Sequence, residues 1–251
     1  MFLSLLTAEY AGENQAIMTN LTTSEAFLMV IIVGVLGLLV QWRLRSVVSK
    51  YSKVALPAGL TGAEIAQKML DAYGVRNVKI THTGGYLTDH FNPQNMTVNL
   101  SDEVYNGRSI TAAAIACHEC GHAVQHAQGY APLQMRSALV PLVNFSSRAA
   151  TWLILIGLIM TASSGSQLMC WIGVGLMCVS ALFSIVTLPV EYNASDRALE
   201  WLRSSRTLSP QELEGAEVSL RWAARTYLVA ALSAIASILY YVALINGRSR
   251  D

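Results

Sequence analysis

Apolar and polar positions sort this chain into two kinds of segment. Four runs are free of charge and approach the length of a membrane span: about Ala26 to Trp42, Ala149 to Ala162, Leu168 to Val190 and Thr226 to Ile245. A helix needs roughly 20 apolar residues to cross the hydrocarbon core. The first and third runs fit. The second is short unless it begins near Leu139, which places Arg148 inside it. A buried hairpin of the second and third runs is the alternative, but charge-free runs of this length are rare in small soluble cores.

The segment between the first two runs is patterned differently. Thr61-Gly62-Ala63-Glu64 is a capping box, and Gly74 closes the helix that it starts. Asn77 to Thr83 reads as a strand, with Val78 and Ile80 alternating with polar residues. Gly84-Gly85 is a turn. Met96 to Leu100 reads as a second strand and a candidate edge for pairing with extended substrate. Ser101 is placed to cap a short helix. Ser109 or Thr111 starts a long one that ends near Gly129. After the third run, Ser209-Pro210-Gln211-Glu212 combines an N-cap, proline at the first helical position and a glutamate two residues on.

Composition agrees with a membrane reading. Hydrophobic residues make up 53% of the 251 and charged residues only 13%, about half the share usual in soluble domains. A formal net charge of +1 gives no reason to expect a nucleic-acid partner. Lys and Arg concentrate between the runs: ten from Arg43 to Arg148, five from Glu191 to Arg225, two after Ile245, and none before Arg43 or in the turn Ser163 to Gln167. The positive-inside rule therefore puts both large loops in the cytoplasm and both termini outside. Residues 1–24 hold no Lys or Arg, so they do not read as an ordinary signal peptide. The cysteines at 117, 120, 170 and 178 lack the spacing of a secreted disulfide framework.

The chemistry is concentrated in His118-Glu119-Cys120-Gly121-His122, an H-E-x-x-H sequence on the long helix. Two histidines four apart lie about 40° apart around a helix and one turn apart along it. Both rings can reach one metal ion, and Glu119 can act on water there as general base. The run Ile110 to Ala116 is rich in helix formers and supports the helix. A catalytic zinc usually takes a third protein ligand. His126 and Glu191 are the candidates. An intact helix holds His126 about two turns from His118. Glu191 follows the third run directly, on the same predicted membrane side as the motif, and an acid at a membrane exit is costly unless used or solvated, so it is favoured. His90, His126 and Arg197 are candidates for orienting ligands or meeting substrate. Cys117 and Cys120 form a C-x-x-C that reads as small buried hydrophobes rather than a redox pair.

Asp89-His90-Phe91-Asn92-Pro93, the run from Ser109 to His126 and Glu191-Tyr192-Asn193-Ala194-Ser195 resemble the YugP-type neutral zinc metallopeptidases of bacteria. The likeness covers nearly the whole chain. It implies a gluzincin with His118, His122 and Glu191 as zinc ligands and Glu119 as base. The HtpX-type membrane proteases are more distantly similar. There an aspartate four residues after the glutamate ligand orients a zinc histidine; here Ser195 holds that place and Asp196 comes one later.

The expectation is a mainly α, multi-span membrane protein with about four transmembrane helices and a small α+β cytoplasmic zincin-like catalytic unit. Its organisation runs as an N-terminal tail (1–25), helix 1 (26–42), the catalytic unit (43–148), helices 2 and 3 (149–190), a helical loop with the third ligand (191–225), then helix 4 and a tail (226–251). The expected activity is Zn2+-dependent hydrolysis of peptide bonds in a peptide or protein substrate, from within a bacterial cell membrane, with membrane-protein quality control as a role by analogy. A catalytically silent zinc-binding scaffold or chaperone subunit is the alternative, and an intact Glu119 argues against it. A metal transporter would need acidic, basic or histidine ligands inside several spans, and the four runs contain no Asp, Glu, Lys, Arg or His.

Overall fold

The computed structural model describes residues 21–248. Most of the expected N-terminal tail and the last three residues lie outside that range. Among the described residues the order is α1 (Thr23–Tyr51), α2 (Gly62–Ala72), β1 (Lys79–Thr83), β2 (His90–Asn92), β3 (Thr97–Ser101), α3 (Asp102–Tyr105), α4 (Ile110–Ala127), α5 (Ala131–Ser164), α6 (Leu168–Ser204) and α7 (Pro210–Arg248). The protein is mainly α. Helices α1, α5, α6 and α7 are long and apolar enough to cross a membrane, and the chain is a multi-span membrane protein.

These helices run beyond the apolar runs that announce them. α1 continues past Trp42 to Tyr51, α6 past Val190 to Ser204, and α7 begins at Pro210, well before Thr226. Charge ends a membrane span but not a helix, and no glycine or proline stop follows Trp42 or Val190. α5 also passes through Pro141 and α6 through Pro189.

Two compact units are defined by internal packing. The first comprises Gly37–Val140 and Phe183–Ala230. Its core joins Ile65, Met69 and Leu70 of α2, Val98 and Leu100 of β3, Ala113 to Val124 of α4, Leu202 of α6 and Leu220 of α7. Thr61 and Glu64 close the capping box in both directions, at 3.2 and 2.7 Å. Ser109 caps α4 by accepting from the Ala112 N–H at 3.2 Å. Gly129, at φ 65°, lets the chain turn after α4. The Ser209–Glu212 pair closes reciprocally at the start of α7.

The sheet in this unit has the order β1-β3-β2, with β3 parallel to β1 and antiparallel to β2. The expected edge strand is therefore central, flanked on both sides. Alternation in Met96 to Leu100 marks one buried face, but Thr97 and Ser101 on the other are buried too, which alternation cannot reveal. β2 itself was not foreseen; it is three residues long and begins in the Asp89-to-Pro93 stretch. Ser101 precedes α3 without capping it. Its N–H and hydroxyl both reach Asp89 instead, at 2.7 and 3.1 Å.

Among the described residues, the second unit comprises 21–36, Pro141–Leu182 and 231–248. Here α5 and α6 meet through small residues. A Cβ on Gly157 would stand 2.5 Å from the Cys170 nitrogen, and one on Gly173 would stand 2.6 Å from the Ile154 side chain. Close helix approach at glycine is how apolar spans associate without a hydrophobic driving force. Phe27, Leu28, Ile31, Ile32, Val35 and Leu36 of α1 are exposed, an apolar surface suited to lipid.

Candidate metal centre

All the side chains of the centre belong to the first unit. Helix α4 carries His118 and His122 one turn apart, with ring centroids 4.8 Å apart and planes at 82°. Helix α6 brings Glu191 against them. Glu191 Oε2 lies 3.3 Å from His118 Nε2 and 3.6 Å from His122 Nε2. Gly121 permits the approach: a Cβ there would stand 2.5 Å from the Ala194 carbonyl oxygen.

The donor set fits a tetrahedral ion. Ligand atoms about 2.0–2.1 Å from zinc stand about 3.3 Å apart, close to both separations here. The three ligand atoms lie within 4.8 Å of one another. Glu191 Oε2 is fully buried and accepts no hydrogen bond, a costly state for a carboxylate oxygen unless a cation meets it. Its other oxygen, Oε1, accepts from Arg136 at 3.0 Å.

Each histidine is oriented by its other nitrogen. His118 Nδ1 lies 3.1 Å from Ser195 Oγ. His122 Nδ1 lies 3.0 Å from Gln125 Oε1. The Gln125 amide donates to the Val190 carbonyl at 2.8 Å and to Asn193 Oδ1 at 3.0 Å. Its oxygen must then accept, so His122 Nδ1 bears the hydrogen and Nε2 presents a lone pair. This is the outer support that metal-binding imidazoles need.

Glu119 is buried next to the pair. Its Oε2 accepts the Phe91 N–H of β2 at 3.0 Å. Burial pushes its carboxyl up to about 7, His118 counteracts this, and Glu191 and Asp89 add to it.

The sequence candidates separate clearly. Ser195 faces His118, whereas Asp196 is exposed. His126 is not in the cluster; it borders the adjoining cavity, its ring 5.7 Å from Phe91. His90 borders the same cavity, with Nδ1 2.8 Å from the Thr88 carbonyl. Arg197 is held by Asn193 Oδ1 at 2.7 Å and Gln128 Oε1 at 2.6 Å. Cys117 and Cys120 are fully buried, and burial raises both thiols well above their usual range. Sequence reasoning missed Gln125, Arg136 and Tyr227, the last of which lines the cavities beside the centre. Gln125 had a signal, being a polar residue three past His122 on the face that carries both histidines. Arg136 and Tyr227 had none, because only tertiary structure brings them near.

Fold and centre together define a class: a multi-span membrane protein in which a helical H-E-x-x-H pair and a glutamate from a second helix form a candidate His–His–Glu metal centre. The chain belongs to the family described as "Putative neutral zinc metallopeptidase", whose model matches residues 26–246. It is similar to the Bacillus subtilis (strain 168) protein "Putative membrane protease YugP", with 40% identity over 212 residues, covering 84% of this chain and 92% of the relative. No solved structure matches the chain.

Proposed function

We propose that this chain is a membrane-embedded zinc metalloendopeptidase, with His118, His122 and Glu191 holding the ion and Glu119 as general base. The observation that carries the reading is the buried, unpartnered Glu191 Oε2 facing two imidazole nitrogens beside a buried Glu119. Zinc in such a site supplies a Lewis acid and an acidified water. Glu119 takes a proton from the attacking water and returns it to the leaving amide nitrogen. Phe91, by donating to Glu119 Oε2, fixes the carboxylate's orientation. Ser195 and Gln125 keep both imidazoles aimed at the ion. A silent scaffold has no use for a buried Glu119.

The Lys and Arg distribution supports cytoplasmic placement of both large loops, so the substrates are peptides or proteins reached from that side, and membrane-protein quality control is the role in keeping with it. The zinc test is elemental analysis of protein purified after zinc-supplemented growth, with about one zinc per chain expected, paired with cleavage of an unstructured protein such as casein. Glu119→Gln should keep the metal and lose cleavage. Absence of metal, or undiminished cleavage by Glu119→Gln, refutes the reading. A reporter fused at Gly59 that is active only outside the cytoplasm refutes the topology.

A further inference from the structure

Two cavities meet at the metal centre and share Asp89, His118, Glu119, Glu191 and Tyr227. The larger, about 270 Å3, also borders His90, His126 and Arg136. The smaller, about 160 Å3, has a different wall: Leu44 and Val48 of α1, Ile115 of α4, and Leu220, Ala223 and Ala224 of α7. Of the hydroxyl-bearing residues that line it, Thr111 donates to the Val48 carbonyl at 3.3 Å and Ser219 to the Gly215 carbonyl at 2.8 Å, while Tyr227 stands on the floor shared with the metal centre. Asp89, on the shared floor, is engaged by Ser101. A polar side chain entering this cavity would lose water and find little in return. An alanine or glycine would leave it unfilled and forfeit the contacts its wall offers. Apolar protein cavities of about 150 Å3 take up benzene, so this volume suits a leucyl or phenyl group.

We infer that the smaller cavity is the specificity pocket of the enzyme, taking a large apolar side chain of the residue that flanks the scissile bond; the inference rests on the peptidase reading above. Because α1 and α7 supply most of the wall, two of the four membrane-crossing helices also select the residue beside the cleaved bond. The preference should therefore be set by wall volume, with Ala223 and Ile115 as its adjustable positions. Ala223 is only half-buried, so a larger side chain there can enter the cavity without displacing the core.

The test uses the full-length, zinc-loaded protein in detergent micelles and amino-acid hydroxamates, which share one metal-binding group and differ in side chain. Leucine hydroxamate should bind on the order of tenfold to a hundredfold more tightly than glycine hydroxamate, as burial of one such side chain warrants. Ala223→Leu should abolish that difference with zinc content unchanged. Ile115→Ala should move the preference from leucine towards tryptophan hydroxamate. A peptide-library digest read by mass spectrometry should show the same order of preference next to the cleaved bond. Equal binding of leucine and glycine hydroxamates to the wild type, or a leucine preference that survives both substitutions, overturns the pocket while the peptidase reading stands. Binding of neither compound, with no cleavage in the digest, overturns both.

Discussion

Replacing Gly121 by alanine tests whether the centre depends on one close helix crossing. The added methyl would stand 2.5 Å from the Ala194 carbonyl oxygen and 3.1 Å from the Ala194 Cα. Carbon and oxygen tolerate roughly 3.2 Å, so α4 and α6 must separate by about 0.7 Å, because backbone cannot rotate aside as a side chain can. Alanine gains about 1 kcal/mol of helix propensity, while overpacking costs about 1–3 kcal/mol. The net loss of fold stability is therefore small, about 0–2 kcal/mol. The effect on the centre is larger in proportion. His118 and His122 move with α4 and Glu191 stays with α6, so the 3.3 and 3.6 Å separations widen to about 4.0 and 4.3 Å, against about 3.3 Å for tetrahedral zinc. A metal–ligand distance tolerates about 0.2 Å, or about 0.3 Å between two ligand atoms, so the widened separations fall outside the range and zinc affinity should fall at least tenfold. Competition with a chromogenic chelator measures it. Gly175→Ala, on α6 with nothing within 4 Å of its Cβ, supplies the control and should leave affinity unchanged. A folded Gly121→Ala protein that binds zinc within threefold of wild type refutes the reasoning.

Glu191→Gln should weaken zinc binding and abolish cleavage with the fold intact, while His126→Ala should keep most of the zinc; the reverse pattern in elemental analysis would mean that the third ligand is His126. In metal-stripped protein, Glu119 is raised from 4.5 to about 7, so its ionisation opposes folding above pH 4.5. Stability from this group is full below pH 4.5 and lost as pH rises through 7, by about 3 kcal/mol. Glu119→Gln should therefore melt higher than wild type at pH 8, with the gap closing towards pH 4.5, and a gap that does not depend on pH would exclude this account. Cys117→Ala with Cys120→Ala should bind zinc and cleave, at some cost in core packing; a folded, zinc-bound but inactive double variant would show a role for the thiols.

Much of the centre was legible because local signals carry it. The motif, its helix and both ends of that helix follow from residues within 20 positions of one another, where capping and periodicity act. Glu191 was legible for another reason, since an acid at the end of a charge-free run demands a use. What escaped depends on tertiary contact. β2 is too short for its pattern to rise above the turn signal of Asn92-Pro93, and β3 is central because β1 and β2 pair with its two edges, which alternation along β3 alone does not reveal. The helices outrun the apolar runs because hydropathy reports where lipid ends, not where helix does. Arg136 was visible only as an isolated charge, although it closes the outer side of Glu191.

The pattern of hydrogen bonds says how the centre is held ready. Each of the three residues has one polar atom engaged and one free. Ser195 of α6 meets His118 Nδ1, Gln125 of α4 meets His122 Nδ1, and Arg136 of α5 meets Glu191 Oε1. The three free atoms converge. Fixing a side chain otherwise costs up to about 2 kcal/mol of rotamer entropy, and here that cost is met when the helices pack rather than when a ligand arrives. Buried polar atoms are normally satisfied. Among the described residues, Glu191 Oε2 is the buried side-chain atom left without a hydrogen bond, and it lies at the point of convergence. A core that satisfies the other buried side chains described and leaves this one open places its unmet acceptor where a cation would meet it, in a site that the packed helices have already shaped.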